Sequence, residues 1–199
     1  MSDDVAIVGI GMHPFGRHEG VSGMEQGAAA IRTACADANV KWADLEFAFG
    51  GSVAAGNPDS MVSQMGLTGL QFINVVNGCA TGGSALISAY NTIKSGAFDL
   101  GLAIGFDKHE RGAFRVNTGK SGERDWYGGS GMAMTTQFFA MKINQYMQNH
   151  NITNDSLARV AAKAFRNGSK NPMAWRRKAL TEDEILQSPM LSYPLTQYM

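Results

Sequence analysis

Ile73-Asn-Val-Val-Asn-Gly-Cys79-Ala-Thr-Gly-Gly-Ser-Ala-Leu86 decides how the rest of this chain is read. An apolar, β-branched run at residues 72–76 reads as a strand, Asn77-Gly78 breaks it, and residues 80–93 carry small and apolar residues on nearly every helical face. A helix apolar all round is a buried helix. No charged residue occurs between Ser60 and Ile93, so the segment is expected to run through the middle of the fold. Its interspersed Gln, Asn, Ser and Gly argue against a membrane span. Cys79 is thereby delivered by a strand to the first turn of a central helix.

Unpaired amides and the positive dipole end at a helix N-terminus favour an anion, which can activate a thiol and shelter a developing oxyanion. Spacing alone leaves a second reading open: a lone cysteine in an apolar stretch is commonly a small core residue.

Asn77-Gly-Cys79-Ala-Thr-Gly-Gly-Ser-Ala-Leu86 followed by Asp99-Leu-Gly-Leu-Ala-Ile-Gly-Phe-Asp-Lys108 resembles the nucleophile region and following strand of the thiolase superfamily, in its sterol-carrier-protein-2 branch. Val8-Gly-Ile-Gly-Met-His-Pro-Phe-Gly16 is similar to that branch's opening strand. Asn154-Asp-Ser-Leu-Ala-Arg-Val-Ala-Ala-Lys163 and Ser188-Pro-Met-Leu-Ser-Tyr-Pro-Leu195 are similar to its later segments. The likeness spans nearly the whole chain but only one half of a two-half family member.

Around the motif, the chain alternates expected strands (residues 5–10, 45–49, 72–76 and 100–106) with expected helices (22–39, 59–67 and 80–93), an α/β layered pattern with right-handed crossovers. The resemblance implies a mixed five-stranded sheet with helices on both faces over residues 1–111, then a loop and helical region over 112–199, with the second half absent. Ser22 with Glu25, and Thr181 with Glu184, have the spacing of capping boxes. Cys35 falls on the apolar face of its helix and reads as core. The dinucleotide fingerprint fails at Gly9-Ile-Gly11-Met-His-Pro14, where proline stands in place of the third glycine. Residues 115–131, with Trp126-Tyr127, read as a surface loop, and helices resume at 132–147, 154–165 and 181–186.

Sites in such sheets form beyond the carboxyl ends of strands. Cys79 and the segment Asp107-Lys-His-Glu-Arg111 both follow such ends, so His109 is the histidine placed to line the same cavity; His13, His18 and His150 read as loop or helix-end residues. Trp175, Arg176 and Lys178 set an aromatic beside cations, able to hold an adenine and phosphates, or else form a solvated turn after Asn171-Pro172.

Seventeen basic residues balance seventeen acidic ones in 199 residues that are 44% hydrophobic. That gives no electrostatic case for nucleic acid or an anionic membrane. Two cysteines do not make a secreted disulfide framework, and no leader stands at the N-terminus, so a reducing cytoplasm is expected. No metal-ligand cluster or repeat is visible.

The resemblance implies acyl-CoA chemistry: Cys79 becomes an acyl-enzyme, and thiolytic cleavage or Claisen condensation follows, with coenzyme A as substrate and no separate cofactor. It also implies subunit contacts, hence a homo-oligomer. The family's catalytic histidine and further cysteine belong to the second half and have no counterpart here. Three expectations stay open: a truncated thiolase inactive alone, a subunit completed by a second polypeptide, or a relative that performs aldol cleavage or only binds acyl-CoA or lipid.

Overall fold

Ser22 opens the first helix, α1 (Gly23–Ala38). Its hydroxyl accepts from the Glu25 amide at 3.1 Å, while the Glu25 carboxylate accepts from the Ser22 amide at 2.6 Å. The box read from the sequence is formed, and both orphan donors are satisfied. Asn39 ends the helix in the left-handed region at φ 54°. The apolar stripe Ala28, Ile31 and Cys35 is buried against Leu45, Met61 and Ile104. Cys35 is therefore core, as its spacing predicts, and burial pushes its thiol pKa up, with Asp44 adding in the same direction.

The computed structural model describes residues 4–52, 57–110 and 135–199. The chain divides into two compact units, Met1–His109 and Glu110–Met199. In the first, β1 (Phe47–Gly51), β2 (Gln71–Asn74), α3 (Thr81–Lys94) and β3 (Gly101–Gly105) follow α1, with a 3₁₀ turn and the single-turn α2 (Val62–Met65) before β2. The expected helix over 59–67 is thus a 3₁₀ turn, Pro58–Met61, running into a single α-helical turn that ends at Met65. Both partners run parallel to the central β1: Phe47 is opposite Gln71 on one side and Gly101 on the other. Parallel strands need crossovers, and α2 and α3 lie in the two connections.

The layered α/β class stands, but the described residues form a three-stranded parallel sheet, β2-β1-β3, and a separate two-stranded one rather than one mixed five-stranded sheet. Residues 5–10 are the main departure: they join no ladder, and Ile7, Val8 and Ile10 are 73%, 60% and 73% exposed. This segment is committed to α1 instead. The Ile10 amide donates to Asp37 Oδ2 at 2.9 Å. A Cβ on Gly11 would stand 2.1 Å from the Ala30 carbonyl, and one on Gly9 2.5 Å from that of Ala34. Two glycines facing alanines let backbone meet helix more closely than side chains would permit. No helix opens behind Gly11, in keeping with the failed nucleotide fingerprint.

The expected burial of α3 is also corrected. Ala85 and Ala89 pack inward, but Leu86, Ile87 and Tyr90 are 50%, 63% and 48% exposed. A helix between two layers is apolar all round, and this unit supplies one layer.

In the second unit, α4 (Thr135–His150), α5 (Asn154–Lys170) and α6 (Glu182–Leu186) precede the antiparallel pair β4 (Met190–Ser192) and β5 (Leu195–Thr196). Thr181 and Glu184 form the second capping box. The buried Thr196 hydroxyl donates to the Ile185 carbonyl at 2.8 Å, tying the pair to α6. The expected loop over 115–131 lies outside the described residues. Among described residues no helix is long and apolar enough to cross a membrane.

Candidate active site

Three parallel strands deliver three loops to one edge of the sheet: Ser52 after β1, the 75–80 turn after β2, and residues 106–109 after β3. The hydrogen-bond ladder extends past the strand ends. Val75 N donates to Gly50 O at 2.7 Å, and Phe106 N to Gly51 O at 3.4 Å. Ser52 Oγ donates to Asp107 Oδ1 at 3.0 Å, joining the first loop to the third.

Cys79 sits in the middle of a 3₁₀ turn, Gly78–Ala80, immediately ahead of α3 rather than in its first turn. Its thiol is exposed and free. Gly78 turns the chain at φ 52°, and Ala80 N donates to Asn77 O at 3.0 Å. Helix α3 begins at Ala80 without a side-chain cap, unlike α1 and α6, whose caps are Ser22 and Thr181. The first-turn amides of a helix lack intrahelical acceptors, and here the N-cap residue, Ala80, has no side chain that could accept from them. An exposed thiol beside an uncapped helix start is a placement suited to a nucleophile.

One close backbone contact makes that placement possible. A Cβ on Gly51 would lie 1.9 Å from Thr81 Cγ2 and 2.3 Å from the Val75 carbonyl, whereas one on Gly105 would make ordinary contact, 3.5 Å from Gly82 Cα. The glycine at the end of β1 therefore lets the turn and the start of α3 settle directly onto the sheet. Asn77 Nδ2 donates to Ser84 Oγ at 2.8 Å, linking the turn to the helix.

His109, also at this edge, has its Nε2 3.8 Å from Asp107 Oδ2. Trp175, Arg176 and Lys178 belong to the second unit, on the exposed connection between α5 and α6. Lys178 pairs with Glu184 at 3.5 Å, both partners well exposed. The Thr181 amide and hydroxyl hold the Glu184 carboxyl below its usual range, with Lys178 adding to the effect. Arg177 reaches the Pro172 carbonyl at 3.3 Å. His13 and His18 meet edge to face at 4.6 Å over the Pro14 carbonyl, and His150 stacks on Tyr146. No metal-ligating group of three or more occurs among the described residues.

The sequence singled out neither Ser52 nor Thr81, and it marked Asn77 only as a strand break and Asp107 only as the start of the segment after β3. Thr81 carried a signal, a hydroxyl residue two positions after the cysteine at a helix start. The Ser52–Asp107 bond carried none, because its partners are 55 residues apart.

A three-stranded parallel sheet with helices packed on it, and a cysteine turn at its carboxyl edge, places the first unit in the α/β class. Residues 5–186 match the family model described as thiolase, N-terminal domain, and the chain belongs to the thiolase family. It is 30% identical to chicken (Gallus gallus) sterol carrier protein 2 over 94% of this chain and 37% of that one. It is 28% identical to the acetyl-CoA acetyltransferase of Methanothermobacter thermautotrophicus, over 96% of this chain and 52% of that one. Among solved structures, an Ltp2-ChsH2(DUF35) aldolase superposes with a TM-score of 0.77 at 21% identity, covering 97% of this chain and 51% of that one. A monomeric SCP2-thiolase-like protein from Mycobacterium smegmatis gives 0.63 at 17% identity, covering 95% of this chain and 41% of that one. At these identities the two structures speak for the fold. The chain spans between about a third and about half of the length of these curated relatives.

Proposed function

We propose that this chain is the nucleophile-bearing half of an acyl-CoA thiolase-type acyltransferase. Residues 1–111 form the nucleophile core and 112–199 a loop and helical region; a second half lies in the same polypeptide or in a partner. Cys79 Sγ, as thiolate, attacks the thioester carbonyl of an acyl-CoA; the tetrahedral adduct collapses, the C–S bond to coenzyme A breaks, and the leaving thiolate takes a proton. The acyl group then passes to the α-carbon of a second acyl-CoA, or, in reverse, the acyl-enzyme arises from a 3-oxoacyl-CoA. The observation carrying the proposal is the exposed Cys79 on its turn at the uncapped start of α3. A base from the second half takes the thiol proton, so the 199 residues alone are expected to show no turnover.

In this reading His109 borders the acyl site, and Trp175, Arg176 and Lys178 contact the coenzyme A nucleotide. The protein works in a reducing cytoplasm, where Cys79 stays free. Trp175→Ala is expected to raise KM for acyl-CoA with kcat little changed, since it removes binding without touching the reacting atoms. Equal losses in kcat and kcat/KM would move Trp175 out of the binding role.

Intact-mass analysis of the complete protein with acetyl-CoA tests the chemistry. An acetyl adduct that maps to Cys79 and vanishes in Cys79→Ala is expected. Binding without an adduct would make the protein a carrier. Cleavage of a β-hydroxyacyl-CoA that consumes no free coenzyme A would make it an aldolase.

A further inference from the structure

Thr81 is among the few buried polar side chains of the described residues, at 8% exposure, and both capacities of its hydroxyl are used. Oγ1 accepts from the Asn77 amide at 2.9 Å and donates to the Gly78 carbonyl at 2.8 Å. These two groups lie on the chain immediately before Cys79. The Thr81 amide also donates to Gly78 O, and the Ala80 amide to Asn77 O, so the four residues around the thiol are closed into one bonded ring of contacts. The methyl group does a different job: Cγ2 fills the space over Gly51 at the end of β1.

From this division we infer that Thr81 is a positioning residue for Cys79 through its hydroxyl, which fixes the shape of the cysteine turn, while the methyl only packs over Gly51. The inference rests on the reading of Cys79 as the nucleophile. Asn77 at φ −144°, ψ 42° and Gly78 at φ 52° lie outside the regular helix and strand regions. Such a turn holds only where its surroundings determine it. The hydroxyl supplies that determination from the helix side. Without it, the Asn77 amide and one lone pair of the Gly78 carbonyl lose their buried partner, and the backbone that carries Cys79 is no longer fixed from the helix side.

The test compares wild type, Thr81→Val and Thr81→Ser in the 199-residue chain. The rate of iodoacetamide alkylation is measured at Cys79 and Cys35 by peptide mass spectrometry at neutral pH, with N-acetylcysteine as the free-thiol standard. Valine keeps the shape and methyls and removes the hydroxyl; it is expected to slow Cys79 about tenfold, the rate equivalent of one lost hydrogen bond. Cys35 is expected to keep its rate, which reports that the core is intact. Serine is expected to restore the wild-type rate at Cys79.

A valine variant with an unchanged or faster Cys79 would overturn the role of Thr81. So would a serine variant that falls about tenfold below wild type, since the methyl would then be the determinant; that comparison with wild type stands even if valine fails to fold. Wild-type Cys79 reacting no faster than N-acetylcysteine would instead count against Cys79 as an activated nucleophile, while a slower valine variant would still assign the turn to Thr81.

Discussion

Glu46 shows how a single exposed side chain can hold the register on which the site depends. Its Oε2 accepts from the Asp99 amide at 2.7 Å and the Leu100 amide at 2.9 Å, while its own amide donates to the Leu100 carbonyl at 3.0 Å. The carboxyl pKa is held below its ordinary value of 4.5, chiefly by the Leu100 amide and then by that of Asp99. A group whose pKa is lower in the folded state stabilises the fold above its unfolded value, and that contribution disappears as pH falls through the folded one. Glu25 and Glu184 are shifted in the same direction by their capping bonds. Stability is therefore expected to decline from about pH 4.5 downward, and Glu46→Gln should flatten part of that decline. Denaturant midpoints measured across the acid range would show it; a variant with the wild-type acid slope would remove Glu46 from this role.

Gly51 is a second decisive residue. Gly51→Ala must displace the Thr81 methyl or the Val75 carbonyl, and overpacking of this kind costs about 1–3 kcal/mol. The expected result is lower stability together with slower alkylation of Cys79. Normal reactivity at Cys79 would mean that the turn does not depend on this contact. Neither contact was readable in advance. Glu46 acts on residues 53 and 54 positions away, and a glycine at a strand end gives no notice of what it must approach.

At the scale of elements, local signals read well and long-range ones did not. Both capping boxes form because their partners are three residues apart, within the reach of sequence reasoning. The stripe of α1 placed Cys35 in the core for the same reason, helical spacing. Ile31 is the fully buried centre of that stripe, and Ile31→Ala is expected to cost about 2–5 kcal/mol by chemical denaturation. A loss below about 1 kcal/mol would mean that the core collapses around the cavity. Residues 5–10 have the composition of a buried strand, and pairing is what composition cannot supply. Their backbone is held by Asp37 and by the glycine contacts to α1, while their apolar side chains face outward. The helix over 80–93 was legible as a helix, and its all-round apolar surface as a demand for two covering layers. Only one of those layers lies in this unit.

That open surface sets the behaviour of the whole molecule. Leu86, Ile87 and Tyr90 of α3, with Val76 from the turn ahead of it, are large apolar side chains left exposed. Clustered apolar surface of this kind drives association. The isolated chain is expected to self-associate, and Ile87→Lys to shift it toward monomer in light scattering. A wild-type monomer at all concentrations would contradict this.

The Cys79 turn lies within the first unit, so the proposed character of this thiol can be measured on the 199-residue chain. The direct measurement is the alkylation rate of Cys79 at neutral pH against that of N-acetylcysteine, with Cys35 in the same chain as the buried reference. Cys79 is expected to react faster than the free thiol, and Cys35 far more slowly than either. A Cys79 that reacts at or below the rate of the free thiol would contradict the assignment of this turn as a nucleophile site.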